Sequence, residues 1–407
     1  MRQKRLVIAT ETFEPEIGGG EAQTRTVADA LMARGWTVTL VTRRSRPHLA
    51  RRERQQQLEI VRVPPVGTGR YKKWGLAVTS FPALLKAAHN ADAMMVSGFR
   101  IMGAPAVIAT RLRRTPLYLK ADNRGELSGN YFRAGLARFG LTPRSVPARL
   151  FLGLRNLVLR RAEGFVALSE EMATEYSMNG VPAERVHRIP NGVDVGRFHP
   201  LDAARKAALR QRLDVPDRPM VLFTGRLVTH KGVLHLIRAW AHLHEEGVQA
   251  TLFLVGEGGR DMHACETELR QFVRDRNLGH AVRFTGAVTN VVDYVQAADA
   301  FVFPTEDDTL PLSLVEAMSC ALPVISTPVG GMRDFLVDGQ NGLVVPIADE
   351  TALQTALRRV ITGGPQIEAL GRAARDTAVA LFSHETVADA WVRLFDSCRD
   401  PNGLMAE

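Results

Sequence analysis

Short apolar runs rich in β-branched residues recur along the chain, and longer stretches with helical period separate them. In the first half the runs fall at 6–10, 37–41, 58–63, 93–96, 117–119 and 164–168, with helical stretches such as 21–34 and 150–161 between them. Runs this short, apolar on both sides of the pleat, predict buried strands. Their alternation with helices predicts a parallel sheet covered on both faces.

The rhythm breaks at Ile189-Pro190-Asn191-Gly192-Val193-Asp194, where Pro, Asn and Gly punctuate the pattern, and a polar helical connector runs on to about residue 214. It then restarts, with strand candidates at 220–224, 250–255, 282–285, 300–303, 324–326 and 343–345. A length of 407 residues fits two domains of roughly 200 residues better than one core. The expected division is 1–195, 196–383 and a last segment, 384–407, whose helix returns to the first domain. Ligands of such doubly wound sheets lie beyond the carboxyl ends of the strands, so two facing halves are expected to share a deep cleft.

Charge divides the chain further. Residues 1–200 carry 32 Lys and Arg against 16 Asp and Glu, and the remainder 20 against 27. A basic first half suits anionic partners, or is simply a solvated basic face. The basic groups are Arg43, Arg44, Arg46, Arg51, Arg52 and Arg54, then Lys72-Lys73-Trp74, then the mixture of Arg with Phe, Leu and Val from Arg138 to Arg161. Basic residues beside Trp, Phe and Leu are what an interfacial segment requires, and an amphipathic helix packed on the sheet is the competing reading of 150–161. Aromatic residues make up only 6% of the chain, a poor stacking platform for nucleic acid. No run approaches the ~20 apolar residues of a membrane helix. Arg2, Lys4 and Arg5 precede an apolar run too short for a signal segment, which reads as the first strand. Cys265, Cys320 and Cys398 have neither metal-ligand nor disulfide spacing. These features lead us to expect a cytoplasmic protein, with contact at the inner face of the plasma membrane as the alternative to a fully soluble state.

Three stretches carry candidate chemistry. Gly18-Gly19-Gly20-Glu21 lies between the first strand and first helix, either a cradle for phosphate or a tight turn. Arg226 and Lys231 follow the strand at 220–224 and can converge on a diphosphate, one as a planar fork and the other as a point charge. In Phe303-Pro304-Thr305-Glu306-Asp307-Asp308-Thr309-Leu310-Pro311-Leu312-Ser313-Leu314-Val315-Glu316, a strand runs through an acidic turn into a helix. Asp308 and Glu316 can accept hydrogen bonds from sugar and ribose hydroxyls, and the amides from Thr309 through Leu310 and Leu312 to Ser313 suit phosphate oxygens.

This last segment resembles the signature of the retaining glycosyltransferases of family 4, in which two acidic residues eight apart precede Ala-Met. Other features of that family appear in order: the Gly18–Gly20 loop, Ser169, the Pro190-Asn191-Gly192 element, Gly225-Arg226 with Lys231-Gly232, Val255-Gly256-Glu257-Gly258, and Pro328-Val329-Gly330-Gly331. The resemblance covers nearly the whole chain. It implies an α/β GT-B fold of two Rossmann-like domains and metal-independent, retaining transfer of a hexose from a UDP- or GDP-sugar to a hydroxyl acceptor. Cell-surface polysaccharide, lipopolysaccharide or glycolipid synthesis is the implied setting, with no cofactor beyond the donor. It further implies that Gly19, Gly20, Arg226 and Lys231 bind the diphosphate, Glu316 the ribose and Asp308 the sugar, with Arg283 near the base.

Two positions depart from the family pattern. The first acidic residue is Asp308 rather than Glu, one methylene shorter. Where the family commonly has His after the fifth strand, this chain reads Lys120-Ala121-Asp122-Asn123, so Asp122 or Asn123 takes the sugar contact. Retaining glycosidases use two carboxylates about 5 Å apart. The sequence offers no obvious second one here, which favours attack from the face the nucleotide leaves. Competing readings are an epimerase or a non-catalytic sugar-nucleotide binder of the same shape.

Overall fold

The computed structural model describes residues 3–16, 18–67, 72–137, 140–259 and 261–397. Ile17, Arg138, Cys398 and the side chains of Lys72, Lys73 and Trp74 lie outside the described residues. The chain divides into two compact units, 1–192 together with 384–407, and 193–383.

The first unit is built on strands β1 (Arg5–Thr10), β2 (Thr37–Arg43), β3 (Arg52–Gln55), β4 (Leu58–Val63), β5 (Ala93–Ser97), β6 (Leu117–Lys120), β7 (Gly164–Ala167) and β8 (Val186–Arg188). Their order across the sheet is β3-β4-β2-β1-β5-β6-β7-β8. Every pairing is parallel except β3 with β4. That antiparallel edge corrects the expectation of a wholly parallel sheet. Its sequence, Arg-Glu-Arg-Gln, has no apolar alternation, because an edge strand is held by ladder hydrogen bonds and benefits from charge that discourages further pairing. Arg43 also departs from the surface role expected of it: it is the buried last residue of β2.

Three helices of this unit matter below: α1 (Gly19–Met32), α2 (Phe99–Arg113) and α3 (Val146–Leu159). The second unit carries β9 (Met220–Thr224), β10 (Thr251–Val255), β11 (Val282–Gly286), β12 (Ala300–Phe303), β13 (Val324–Ser326) and β14 (Leu343–Val344), all parallel, in the order β11-β10-β9-β12-β13-β14. Within it α4 (Val233–Glu245) follows the loop after β9, and α5 (Leu312–Ser319) the loop after β12. Both units are doubly wound α/β sheets.

The helix α6 (His384–Ser397) belongs to the first unit despite its place in the chain. Its Val387, Trp391 and Phe395 complete the core formed by Leu6, Ile8, Trp36, Leu40 and Met95 of the sheet region and Val27 and Leu31 of α1. Polar ties secure it: the Tyr118 hydroxyl donates to the Leu394 carbonyl at 3.1 Å, Lys4 pairs with Asp396 at 2.7 Å, and Arg34 with Asp389 at 2.7 Å.

Candidate active site

In the second unit the chain builds β9, β10 and β11 outward in one direction, then returns to the other side of β9 for β12. Such a reversal parts the loops after β9 and β12 and opens a crevice at the carboxyl ends of the strands. Gly232, at φ +69°, lets the two loops touch: a Cβ there would lie 1.8 Å from the Pro304 carbonyl oxygen. The His230 carbonyl then accepts from the Glu306 amide at 2.9 Å and from the Thr305 hydroxyl at 3.0 Å.

These ties set Lys231 against Asp308. Nζ lies 2.5 Å from Oδ2 and 5.1 Å from the centre of the Phe303 ring, with both charged side chains largely withdrawn from water. The other oxygen of Asp308 accepts from the Thr309 amide at 2.7 Å. Arg226 also has an anionic partner, Asp261 on the loop after β10, but its guanidinium is exposed. Burial together with Lys231 and Arg226 holds the His230 imidazole below its ordinary pKa, so it adds little positive charge near neutrality.

At the start of α5, Pro311 is the cap and offers no side-chain acceptor. The first-turn amides, including those of Leu312 and Ser313, therefore have no intrahelical acceptor. Leu310 is buried beneath the turn, and Ser313 and Glu316, three apart, share a helix face. The Glu316 carboxyl makes no hydrogen bond or ion pair among the described residues, and burial pushes its pKa up to about 7 against the pull of Arg197.

The folded Glu316 carboxyl keeps its proton to higher pH than an unfolded one, so stability is expected to fall as pH rises from about 4.5 through 7. Glu316→Gln removes this penalty. Calorimetry is expected to show its melting point above that of the wild type at pH 8 by several degrees, with the gap closing toward pH 5.

Arg283 is not brought into this cluster. It is the second residue of β11, near the amino end of that strand, and its guanidinium lies 3.9 Å from Asp214 in the segment leading to β9. The carboxyl end of the same strand, Gly286, accepts from the Gly256 amide at 3.0 Å.

The first unit gathers Gly20 and Asp122. Its sheet reverses in the same way, with β1 between β2 and β5. Asp122, after β6, takes a hydrogen bond from the Ser97 hydroxyl at 2.8 Å and lies 3.5 Å from Lys120 Nζ. Gly98, at φ +69°, passes so close that a Cβ would lie 2.7 Å from Asp122 Oδ2, and one on Gly20 would lie 3.5 Å from it. Gly19 opens α1 behind a Gly18 cap with no side-chain acceptor, while the Thr12 hydroxyl donates to Glu21. Glu126 lay outside the sequence reading. One of its oxygens accepts from the Asp122 amide at 3.2 Å and the Asn123 amide at 3.3 Å. Burial, aided by Asp122, pushes its pKa up to about 7 against the pull of Arg100 and the two amides. Arg100 in turn lies 3.2 Å from Glu11 and over the Tyr131 ring at 4.5 Å. Nothing in the local pattern around Glu126 marked it.

Among the described residues no helix is long and apolar enough to cross a membrane. Cys265 and Cys320 are buried and form no disulfide among the described residues. Two family models match the chain: "Glycosyl transferase 4-like domain" over residues 18–192 and "Glycosyl transferases group 1" over 218–363. A D-inositol 3-phosphate glycosyltransferase of Xylanimonas cellulosilytica is 32% identical over 246 residues, 58% of this chain and 58% of that protein. The match therefore spans less than two thirds of that relative's length. Among solved structures, the sucrose-phosphate synthase of Thermosynechococcus elongatus superposes with a TM-score of 0.77 at 23% identity, over 98% of this chain and 100% of the other. Anabaena HepE in complex with UDP-glucose gives 0.74 at 20% identity, over 97% and 99%. One family model falls in each doubly wound unit, and the chain belongs to the glycosyl transferases of group 1, with the GT-B fold.

Proposed function

We propose that the protein moves a hexose from a UDP- or GDP-sugar to a hydroxyl acceptor, with retention and without a metal, in the synthesis of a cell-surface polysaccharide, lipopolysaccharide or glycolipid. The observation that carries this reading is the Lys231–Asp308 pair at the switch point of the second sheet, beside the open amides of α5. A diphosphate bound to those amides draws Lys231 toward itself, which releases Asp308 to accept a hydrogen bond from the sugar. Arg226 turns from Asp261 to the same phosphates, and Glu316 accepts from the ribose. HepE, whose structure contains UDP-glucose, supports a nucleotide-sugar donor. The Xylanimonas relative, named for D-inositol 3-phosphate, supports a hydroxyl acceptor. The epimerase and non-catalytic readings are not favoured, because the matching families and relatives are transferases.

In the step itself, the bond from the anomeric carbon to the phosphate oxygen breaks as the acceptor oxygen bonds to the same face. The acceptor's proton passes to the departing diphosphate. Lys231 and Arg226 stabilise the charge that grows there, the task a metal performs elsewhere. Asp122 or Asn123 contacts the sugar in place of a histidine, with Gly19 and Gly20 at the donor phosphate.

A thermal-shift panel of UDP-, GDP- and ADP-sugars tests the donor. A ligand that binds only the native state raises its stability by RT ln(1 + [L]/Kd), so 100 Kd of the right donor gives about 2.7 kcal/mol. A UDP- or GDP-sugar is expected to shift the protein, with chelator present or absent. No shift from any sugar nucleotide would remove the donor claim, and a glycosyl adduct trapped on Asp308 or Asp122 would replace same-face attack with a covalent route.

A further inference from the structure

We propose that the outer face of α3, extended by the end of α2, is a docking surface for an anionic lipid bilayer. The inner face of α3 is packed in the ordinary way, through Ala148, Leu152 and Leu159. Its outer face carries Val146, Leu150, Leu154 and Leu157 at helical spacing, exposed by 78, 65, 60 and 56%, with Phe151 beside them at 51%. Scattered exposed leucines need no explanation, but a stripe at i, i+4, i+8 and i+11 is a second apolar face with nothing over it. Exposed Ile108 and Leu112 on α2 extend it, and Arg111 donates to the Arg161 carbonyl at 2.8 Å, tying the ends of the two helices together.

Charge selects the occupant. Exposed Arg144, Arg149, Arg161, Arg111 and Arg114 flank the stripe, and neither α2 nor α3 contains an acidic residue. An apolar centre within an arginine rim matches acyl chains below and anionic headgroups around. The same helix holds the Asp122 loop from behind. Arg155 donates to the carbonyls of Glu126 at 2.7 Å and Leu127 at 2.9 Å, and Asn156 to that of Leu127 at 2.9 Å. Docking therefore places a bilayer next to the element that carries Asp122.

Sedimentation with vesicles tests this without reference to turnover. The full chain is expected to pellet with phosphatidylcholine vesicles containing phosphatidylglycerol, less so as salt rises, and weakly with phosphatidylcholine alone. Arg144→Gln and Arg149→Gln are each expected to weaken partitioning about fivefold. Leu150→Asp combined with Leu154→Asp, both at exposed sites, is expected to lower it at least tenfold while circular dichroism and melting stay unchanged. Failure of the wild type to bind, or undiminished binding by the folded double Asp variant, overturns the proposal. So does a wild-type dimer in light scattering that ignores vesicles and becomes monomeric in that variant, since the face then belongs to a second copy.

Discussion

Lys231→Ala is expected to lower the rate of sugar transfer at saturating donor by about 10²- to 10³-fold, the usual effect of removing one preorganised group that stabilises a leaving oxyanion. Lys231 is the stronger candidate of the two cations because its ammonium is largely shielded from water, where Coulomb interactions are least damped. Arg226→Ala is expected to cost only about tenfold, since the exposed guanidinium acts through solvent and its partner Asp261 already competes for it. Asp308→Asn separates the two roles of the pair. It frees Lys231 from a competing carboxylate and is expected to tighten binding of the nucleoside diphosphate, while slowing transfer because the sugar loses its charged acceptor. Calorimetric titration with UDP and GDP, alongside release of nucleotide from the donor that stabilises the wild type, measures both effects. Unchanged rate and affinity in Lys231→Ala would leave the pair a structural salt bridge.

Trp391→Ala is expected to destabilise the first unit by about 3–5 kcal/mol. The ring is fully buried in α6, 5.3 Å from Phe395 between ring centres, in a core cluster that reaches the first two strands. Its indole N–H is buried without an acceptor among the described residues, so Trp391→Phe, which removes that unmet donor along with some volume, is expected to cost much less than alanine. The denaturant midpoint of each variant reads the difference. A wild-type midpoint for Trp391→Ala would mean that α6 contributes nothing to this core.

Most of the scaffold was legible because buried parallel strands write themselves as apolar runs. The runs at 6–10 and 220–224 became β1 and β9, and the others form within about two residues of their expected ends. The elements that escaped are those whose stability does not come from burying alternate side chains. Arg52–Gln55 is held by its partner strand, and the three-residue β8 by the end of β7. At the candidate site, sequence order placed Arg226, Lys231 and Asp308 on the loops flanking one switch point, because each follows β9 or β12, and Glu316 in the helix that succeeds the second loop. Arg283 stands apart from that cluster, second from the amino end of β11 and beside Asp214, 69 positions earlier in the sequence, a partner that no local pattern announces. Glu126 was invisible because, although the two amides it accepts from are only three and four residues away, its burial and the nearby Arg100 guanidinium come from the tertiary fold.

The return of α6 to the first sheet bears on how the chain is made. A ribosome working at roughly 5–20 residues per second needs about 10–40 s to lay down residues 193–383 before that helix emerges. Throughout that interval the strands that carry Leu6, Ile8 and Met95 are complete but lack the part of their cover that α6 supplies, and at its end the second unit has all of its residues. The later-synthesised unit is therefore the first to finish. During translation this protein presents a partly uncovered greasy sheet, the kind of surface on which a holdase chaperone acts.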